Sequence, residues 1–215
     1  MGHDHDHRHD HRHDHGHAHG HAQGHRQAHD HGHAHEHAHA SPAALGDGGS
    51  AAAAHRARGP ASVPCFALTV SDTRTRADDT GGAVIREVLA AEGHTLVGSE
   101  IVKDDPGAIE AAIRAALERG ARVVIATGGT GLTSRDVTAE VVERLIERPI
   151  PGFGELFRML SFEQVGSAAM LSRATAGVLE RSVLFALPGS PAGVRLAMER
   201  LIAPELSHLL EQLAR

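Results

Sequence analysis

Three short apolar runs without helical period constrain this chain more than any other feature. Residues 65–70 (CFALTV), 122–126 (RVVIA) and 181–187 (RSVLFAL) are continuous in apolar character. They are too short for buried helices and lack the alternation of a strand with one wet face, so they read as strands covered on both sides. A fourth strand is expected over 94–102. Between these runs the period changes to that of helices. Thr80 can cap a helix whose Val84, Ile85, Val88 and Leu89 share one face, with a stop at Gly93. Asp105-Pro106 reads as a cap followed by proline at the first helical position, and Ile109, Ala112, Ile113, Ala116 and Leu117 form the inner face up to Gly120. Further helices are expected over 137–147, over 151–159, and over 192–201 and 204–213, the last opened by Pro204. Strand–helix alternation of this kind predicts an α/β fold: a three-layer αβα domain with a mostly parallel sheet.

The segment ahead of this pattern is of another kind. Of the 20 histidines, 17 fall between residues 3 and 39, mostly alternating with Asp, Gly, Ala or Arg. Almost no large apolar side chain is present to offset the entropy of ordering the backbone, so residues 1–62 are expected to be a disordered His-rich tail and linker. Residues 63–215, roughly 150 in number, make one domain of ordinary size. In the tail His3, His5, His7, His9, His11 and His13, with Asp4, Asp6, Asp10 and Asp14 among them, suit borderline divalent ions such as Ni²⁺, Zn²⁺ or Cu²⁺. The alternation allows many registers of binding rather than one defined geometry.

Composition excludes several classes. The net charge is −6 and there is no Lys/Arg run, which argues against a nucleic-acid partner. The one cysteine, Cys65, cannot form an internal disulfide, fits a reducing compartment, and lies in a strand where an inert core thiol is expected. No run is long enough for a membrane span and no apolar signal core opens the chain, so a cytoplasmic protein is expected.

In an open parallel sheet, ligands sit beyond the carboxyl ends of the strands. Residues 127–136 (TGGTGLTSRD) hold such a place. Gly128, Gly129 and Gly131 let the backbone approach a ligand and direct N–H groups at it, and the following helix adds its positive dipole end, so the loop reads as a cradle for a phosphorylated ligand. Thr127, Thr130, Thr133 and Ser134 offer hydroxyls and Arg135 a permanent charge. The loop is neither a Walker A sequence nor the dinucleotide fingerprint. Asp136 reads equally as a helix cap or as an oxygen ligand for Mg²⁺. Asp105 already accounts for a cap, which leaves Asp104 without a structural role and favours a functional one: with Asp136 it could share one Mg²⁺ or orient an attacking group. Ser71-Asp72-Thr73 is either a polar turn or a ligand contact. The turn holding Pro188, Gly189 and Ser190 lies at a third strand end. His94 and His208 are isolated and are expected to be structural or solvated.

Six segments in order, VSDTR…DDTGG, IVKDD, ATGGTGLTSRDVT, PGFGELFRMLSFEQVG, LSRATAGV and ALPGSP, resemble the MoaB/Mog family of molybdenum cofactor biosynthesis. The resemblance covers residues 63–215 and none of the tail, and PGFGELFRMLSFEQVG is similar to the B-type proteins. It implies binding of molybdopterin and a nucleotide, and an enzyme that uses Mg-ATP to adenylylate molybdopterin with release of pyrophosphate. Asp104 and Asp136 then match the family's functional acids. Ser172 and Arg173 match the segment that meets molybdopterin, Glu155 lines the same pocket, and Ser71, Asp72, Thr80, Gly128–Gly131, Arg135 and Pro188–Ser190 contact ligand. Where many relatives have Pro-Glu this chain has Ala139-Glu140. Some B-type relatives bind the ligand without transferring the adenylyl group, so a binding protein of the same pathway stands beside the enzyme. The family also implies a homotrimer or homohexamer.

Overall fold

The computed structural model describes residues 59–215, and the proposed tail ligands His3 to His13 lie outside the described residues. Six strands form one sheet in the order β2-β1-β3-β6-β5-β4: β1 (Pro64–Val70), β2 (Thr95–Val102), β3 (Val123–Thr127), β4 (Arg148–Pro149), β5 (Thr175–Leu179) and β6 (Ser182–Leu187). Neighbours among β2, β1, β3 and β6 run parallel, while β5 is antiparallel to both β6 and β4. The helices are α1 (Thr80–Ala91), α2 (Pro106–Glu118), α3 (Thr138–Leu145), α4 (Pro151–Val165), α5 (Pro191–Ala197) and α6 (Leu206–Ala214).

The period-2 geometry of the central strands sends alternate side chains into two separate cores. Cys65 and Ala67 of β1, Val123 and Ile125 of β3, and Val183, Phe185 and Leu187 of β6 join α1, α4, α5 and α6 on one face. Phe66, Leu68, Val124, Ala126, Leu184 and Ala186 join α2 and α3 on the other. Both faces being covered explains why these strands are apolar throughout, and the result is the expected three-layer α/β arrangement.

Several local expectations are corrected. The cap of α1 is Asp79, whose carboxylate accepts from Gly82 N at 2.9 Å, and Thr80 is the first helical residue. Asp79 is buried and also held by Thr69 Oγ1 at 2.9 Å and Arg86 at 3.1 Å, a set of partners that no local pattern predicts. The helix expected over 151–159 continues to Val165, because no glycine or proline interrupts it before Gly166, and a 3-10 stretch follows (Gly166–Leu171). The two antiparallel strands β4 and β5 add to the four strands expected from the sequence. The first has two residues, and the second is joined to β6 by a tight turn with Glu180 at φ 54°. At the end of the chain a π-helical turn (Met198–Ile202) and a 3-10 turn (Ala203–Glu205) separate α5 from α6. Among the described residues no helix is long and apolar enough to cross a membrane.

Candidate functional site

The glycine loop leaves the carboxyl end of β3, a central strand, and is stitched to the end of β6. Gly128 N donates to Leu187 O at 3.1 Å, Thr127 Oγ1 to Pro188 O at 2.9 Å and Thr130 Oγ1 to Leu187 O at 3.4 Å. Thr127 and Thr130 are buried, so these hydroxyls hold loop to loop rather than standing open to a ligand. This anchoring brings together two of the expected loops. A cleft of about 470 Å³ opens between Gly128–Gly131, Pro188–Ser190 and the C-terminal half of α4 with the 3-10 stretch after it. Ser190 also caps α5, its Oγ accepting from Gly193 N at 3.3 Å.

The far wall of the cleft comes from Phe157, Ser161, Gln164, Val165, Ala169 and Leu171, none of which was picked out individually as a site residue. Phe157, Ser161, Gln164 and Val165 belong to the PGFGELFRMLSFEQVG run and Leu171 opens LSRATAGV, while Ala169 lies in no motif. The wall is largely apolar and the loops opposite are polar, a division suited to a ligand with a flat organic part and a phosphate.

Asp136 lies in the cleft but does not cap α3. Its Oδ2 accepts from Thr133 N at 2.9 Å and Thr133 Oγ1 at 2.6 Å, closing the loop on itself, and the Thr133 hydroxyl holds its carboxyl below the usual carboxylate range. Asp104, at the end of β2, takes up part of the capping instead. Its Oδ1 accepts from Val137 N at 3.3 Å at the start of α3, where Val137 supplies no side-chain cap of its own. The structural role missing for Asp104 in the sequence is therefore present. It could not be read there because the partner lies 33 residues away. Burial raises the Asp104 carboxyl above the usual range, and the charges of Asp136, Asp72 and Glu140 push the same way against the Val137 N–H. A carboxylate whose ionisation its acidic neighbours oppose suits a divalent cation, which relieves that repulsion. Among the described residues no group of three or more His, Cys, Asp or Glu side chains could hold a metal, so a cation here would need oxygens from a ligand or water as well.

The cation tied to the glycine loop is Arg173, which lines a neighbouring cavity rather than the cleft itself. Its guanidinium donates to Asp136 O at 2.7 Å and Thr130 O at 3.4 Å and pairs with Glu140, so it braces the glycine loop from the segment before β5. Arg135 is exposed and does not line the cleft. Ser172 lines the cleft and also a second cavity of about 430 Å³ on the other side of residues 172–174, where Glu155 and Arg158 lie. Glu155 thus shares a cavity with Ser172 and Arg173, the two residues it is expected to accompany, and lies outside the glycine-loop cleft. Ser71 and Asp72 border a further cavity of about 500 Å³ beside β2. Ser71 Oγ accepts from Thr73 N and Arg74 N, and Asp72 Oδ1 accepts from Asp104 N at 3.3 Å. Thr80 Oγ1 accepts from Arg74 at 2.9 Å. His94 Nδ1 accepts from Val63 N at 3.3 Å, the structural role expected of it. Cys65 is buried, and burial pushes its thiol up to about 12, in keeping with an inert core residue.

These features define an α/β protein with a cleft where glycine-rich turns meet the carboxyl ends of parallel strands, the usual place for a ligand in such sheets. Residues 66–208 match the family described as "Probable molybdopterin binding domain". The chain is 49% identical over 163 residues to Molybdenum cofactor biosynthesis protein B of Bacillus anthracis, covering 75% of this chain and 96% of that one. A crystal structure of Molybdenum cofactor biosynthesis protein B superposes with a TM-score of 0.71 at 49% identity, covering 73% of this chain and 98% of that one. The tungsten cofactor synthesizing protein MoaB from Pyrococcus furiosus superposes at 0.67 with 39% identity, covering 73% and 99%. The chain belongs to the MoaB/Mog family of molybdenum cofactor biosynthesis proteins, with molybdopterin as the ligand of its domain.

Proposed function

We propose that the cleft binds molybdopterin and Mg-ATP and transfers the adenylyl group to molybdopterin. A terminal phosphate oxygen of molybdopterin attacks the α-phosphorus of ATP, a P–O bond forms, the α–β bridging bond breaks, and pyrophosphate leaves. The observation that carries this reading is the pair of carboxylates, Asp104 and Asp136, at the two flanks of one glycine loop. A Cβ on Gly129 would lie 2.8 Å from Asp104 Oδ1, and one on Gly131 would lie 2.7 Å from Asp136 Oδ2. Mg²⁺ held by these two acids would offset the charge of the phosphates. The chain's own residues supply position and charge: loop N–H groups toward phosphate oxygens, Arg173 as a fixed cation behind the loop, and the apolar wall of α4 against the pterin. Such a reaction needs little beyond positioning and charge neutralisation, and no protein nucleophile.

Pyrophosphate release from purified protein with molybdopterin and Mg-ATP tests this. Turnover should fall by about 10²-fold or more in Asp136→Asn, the size of effect for a lost electrostatic contact in a preorganised site. Saturable molybdopterin binding with no pyrophosphate would make the protein a binding member of the pathway, and undiminished turnover in Asp136→Asn would remove that acid from the chemistry.

Self-association belongs to the same reading. Leu156, Met159, Phe162 and Val165 on α4 and Met170 and Leu171 beyond it are 47% to 76% exposed, a concentration of large apolar side chains that supports burial against further copies in a trimer or hexamer. Light scattering on Phe162→Asp should report a smaller species than the wild type.

A further inference from the structure

Thr138, the first residue of α3, carries the one buried side-chain oxygen or nitrogen among the described residues that has no hydrogen-bond partner. The residue is 0% exposed. Buried hydroxyls are normally paired, because one left alone loses its hydration and gains nothing in exchange. Valine would fill the same space without that loss, so the unpaired hydroxyl calls for an explanation.

Its surroundings supply one. Gly129, at φ +62°, presents its Cα to Thr138, and a Cβ there would lie 2.2 Å from Thr138 Oγ1, 2.8 Å from Asp104 Oδ1 and 2.9 Å from Asp104 Oδ2. The absence of a side chain at Gly129 thus leaves one small space that a donor and an acceptor both face, with no bond between them. The two groups are tied to the same loop in different ways. Thr138 N donates to Gly129 O at 2.9 Å, whereas Asp104 holds Val137 N by a long contact of 3.3 Å. The tie of Asp104 to Val137 N is the longer of the two, and a turn of the carboxylate toward the space at Gly129 would release it.

We propose that Thr138 is a positioning residue, whose hydroxyl donates to the Asp104 carboxylate when the glycine loop closes on the phosphates of a bound nucleotide. This rests on the reading of the cleft as a nucleotide site. In the closed state the hydroxyl fixes which way Asp104 faces. Nucleotide binding then supplies the hydrogen bond that this hydroxyl otherwise lacks.

Full-length wild type, Thr138→Val, Thr138→Ser and Asp104→Ala, alone and combined with Thr138→Val, are titrated with Mg-ATP by calorimetry and melted without it. Thr138→Val should melt at or above the wild-type temperature yet bind Mg-ATP about tenfold more weakly, the scale of one hydrogen bond to a charged group. Thr138→Ser, which keeps the donor, should bind within about twofold of wild type, and in the Asp104→Ala background the valine change should cost less than about twofold. Unchanged affinity in Thr138→Val, an equal loss in Thr138→Ser, or an equal loss without Asp104 would each overturn the proposal. Wild type that binds Mg-ATP but releases no pyrophosphate sinks adenylyl transfer alone, while wild type that does not bind Mg-ATP sinks both.

Discussion

Gly128 sits where the glycine loop leaves β3, and replacing it by alanine tests whether the anchoring of that loop creates the cleft. The backbone there has φ +97°, outside the range L side chains adopt with ease, and the new Cβ would lie 2.2 Å from the Val70 carbonyl oxygen. Val70 ends β1, paired with both β2 and β3, so the loop must yield rather than the strand. A positive φ costs an L residue about 1–2 kcal/mol. Retreat of the loop also stretches the Gly128 N–Leu187 O bond at 3.1 Å and the Thr127 Oγ1–Pro188 O bond at 2.9 Å. Each is worth about 1 kcal/mol net. The loss is then about 3–4 kcal/mol, and for a domain of this size Tm falls by roughly 10 °C. Gly152→Ala is the control: a Cβ there meets nothing within 4 Å, and it lies in the first turn of α4. That change should be neutral or stabilise by up to about 1 kcal/mol. Melting curves and molybdopterin titrations of both variants provide the measurement. A Gly128→Ala protein that melts within about 2 °C of wild type and binds molybdopterin as well would refute the steric reasoning and the link between anchoring and binding.

Asp104→Asn should raise Tm at neutral pH, since burial and neighbouring charges raise this carboxyl. An acid whose folded-state pKa is raised destabilises the fold when ionised. The advantage of the asparagine variant should therefore shrink as pH falls through the raised pKa, and a pH-independent advantage would contradict this origin. Arg173→Ala should weaken molybdopterin binding at least about tenfold, because the guanidinium braces Thr130 and Asp136, whereas Arg135→Ala should stay within about twofold. Titration of the two variants separates the roles, and the reverse ranking would return the cationic role to Arg135. Deleting residues 1–62 should remove most Ni²⁺ and Zn²⁺ binding, measured by metal analysis after dialysis, and leave molybdopterin affinity unchanged. Retained stoichiometry would place the metal sites in the domain.

The parts of the fold that were legible in the sequence are those set by local physics. Cys65–Val70, buried on both faces, declares itself by continuous apolar character, and Asp105-Pro106 declares a helix start by its own chemistry. What escaped depends on contacts distant along the chain. β5 was invisible because Thr175–Leu179 carries few large apolar residues and becomes a strand only beside β6. Asp79 displaced Thr80 as cap because Thr69 and Arg86 hold its carboxylate in the interior. The same distinction runs through the site. The glycines of 127–136 were readable, since their spacing fixes where a backbone can approach a ligand. The roles of the polar groups around them were not, since a hydroxyl or carboxylate is defined by the atom it meets. Thr127 and Thr130 are loop anchors, Arg173 rather than Arg135 braces the loop, and Asp104 makes a structural contact across 33 residues. That contact need not compete with a role in the chemistry. A carboxylate held by one long bond, pressed by three like charges and facing an idle hydroxyl, is poised to move when positive charge arrives, and its weak tie to Val137 couples that movement to the start of α3.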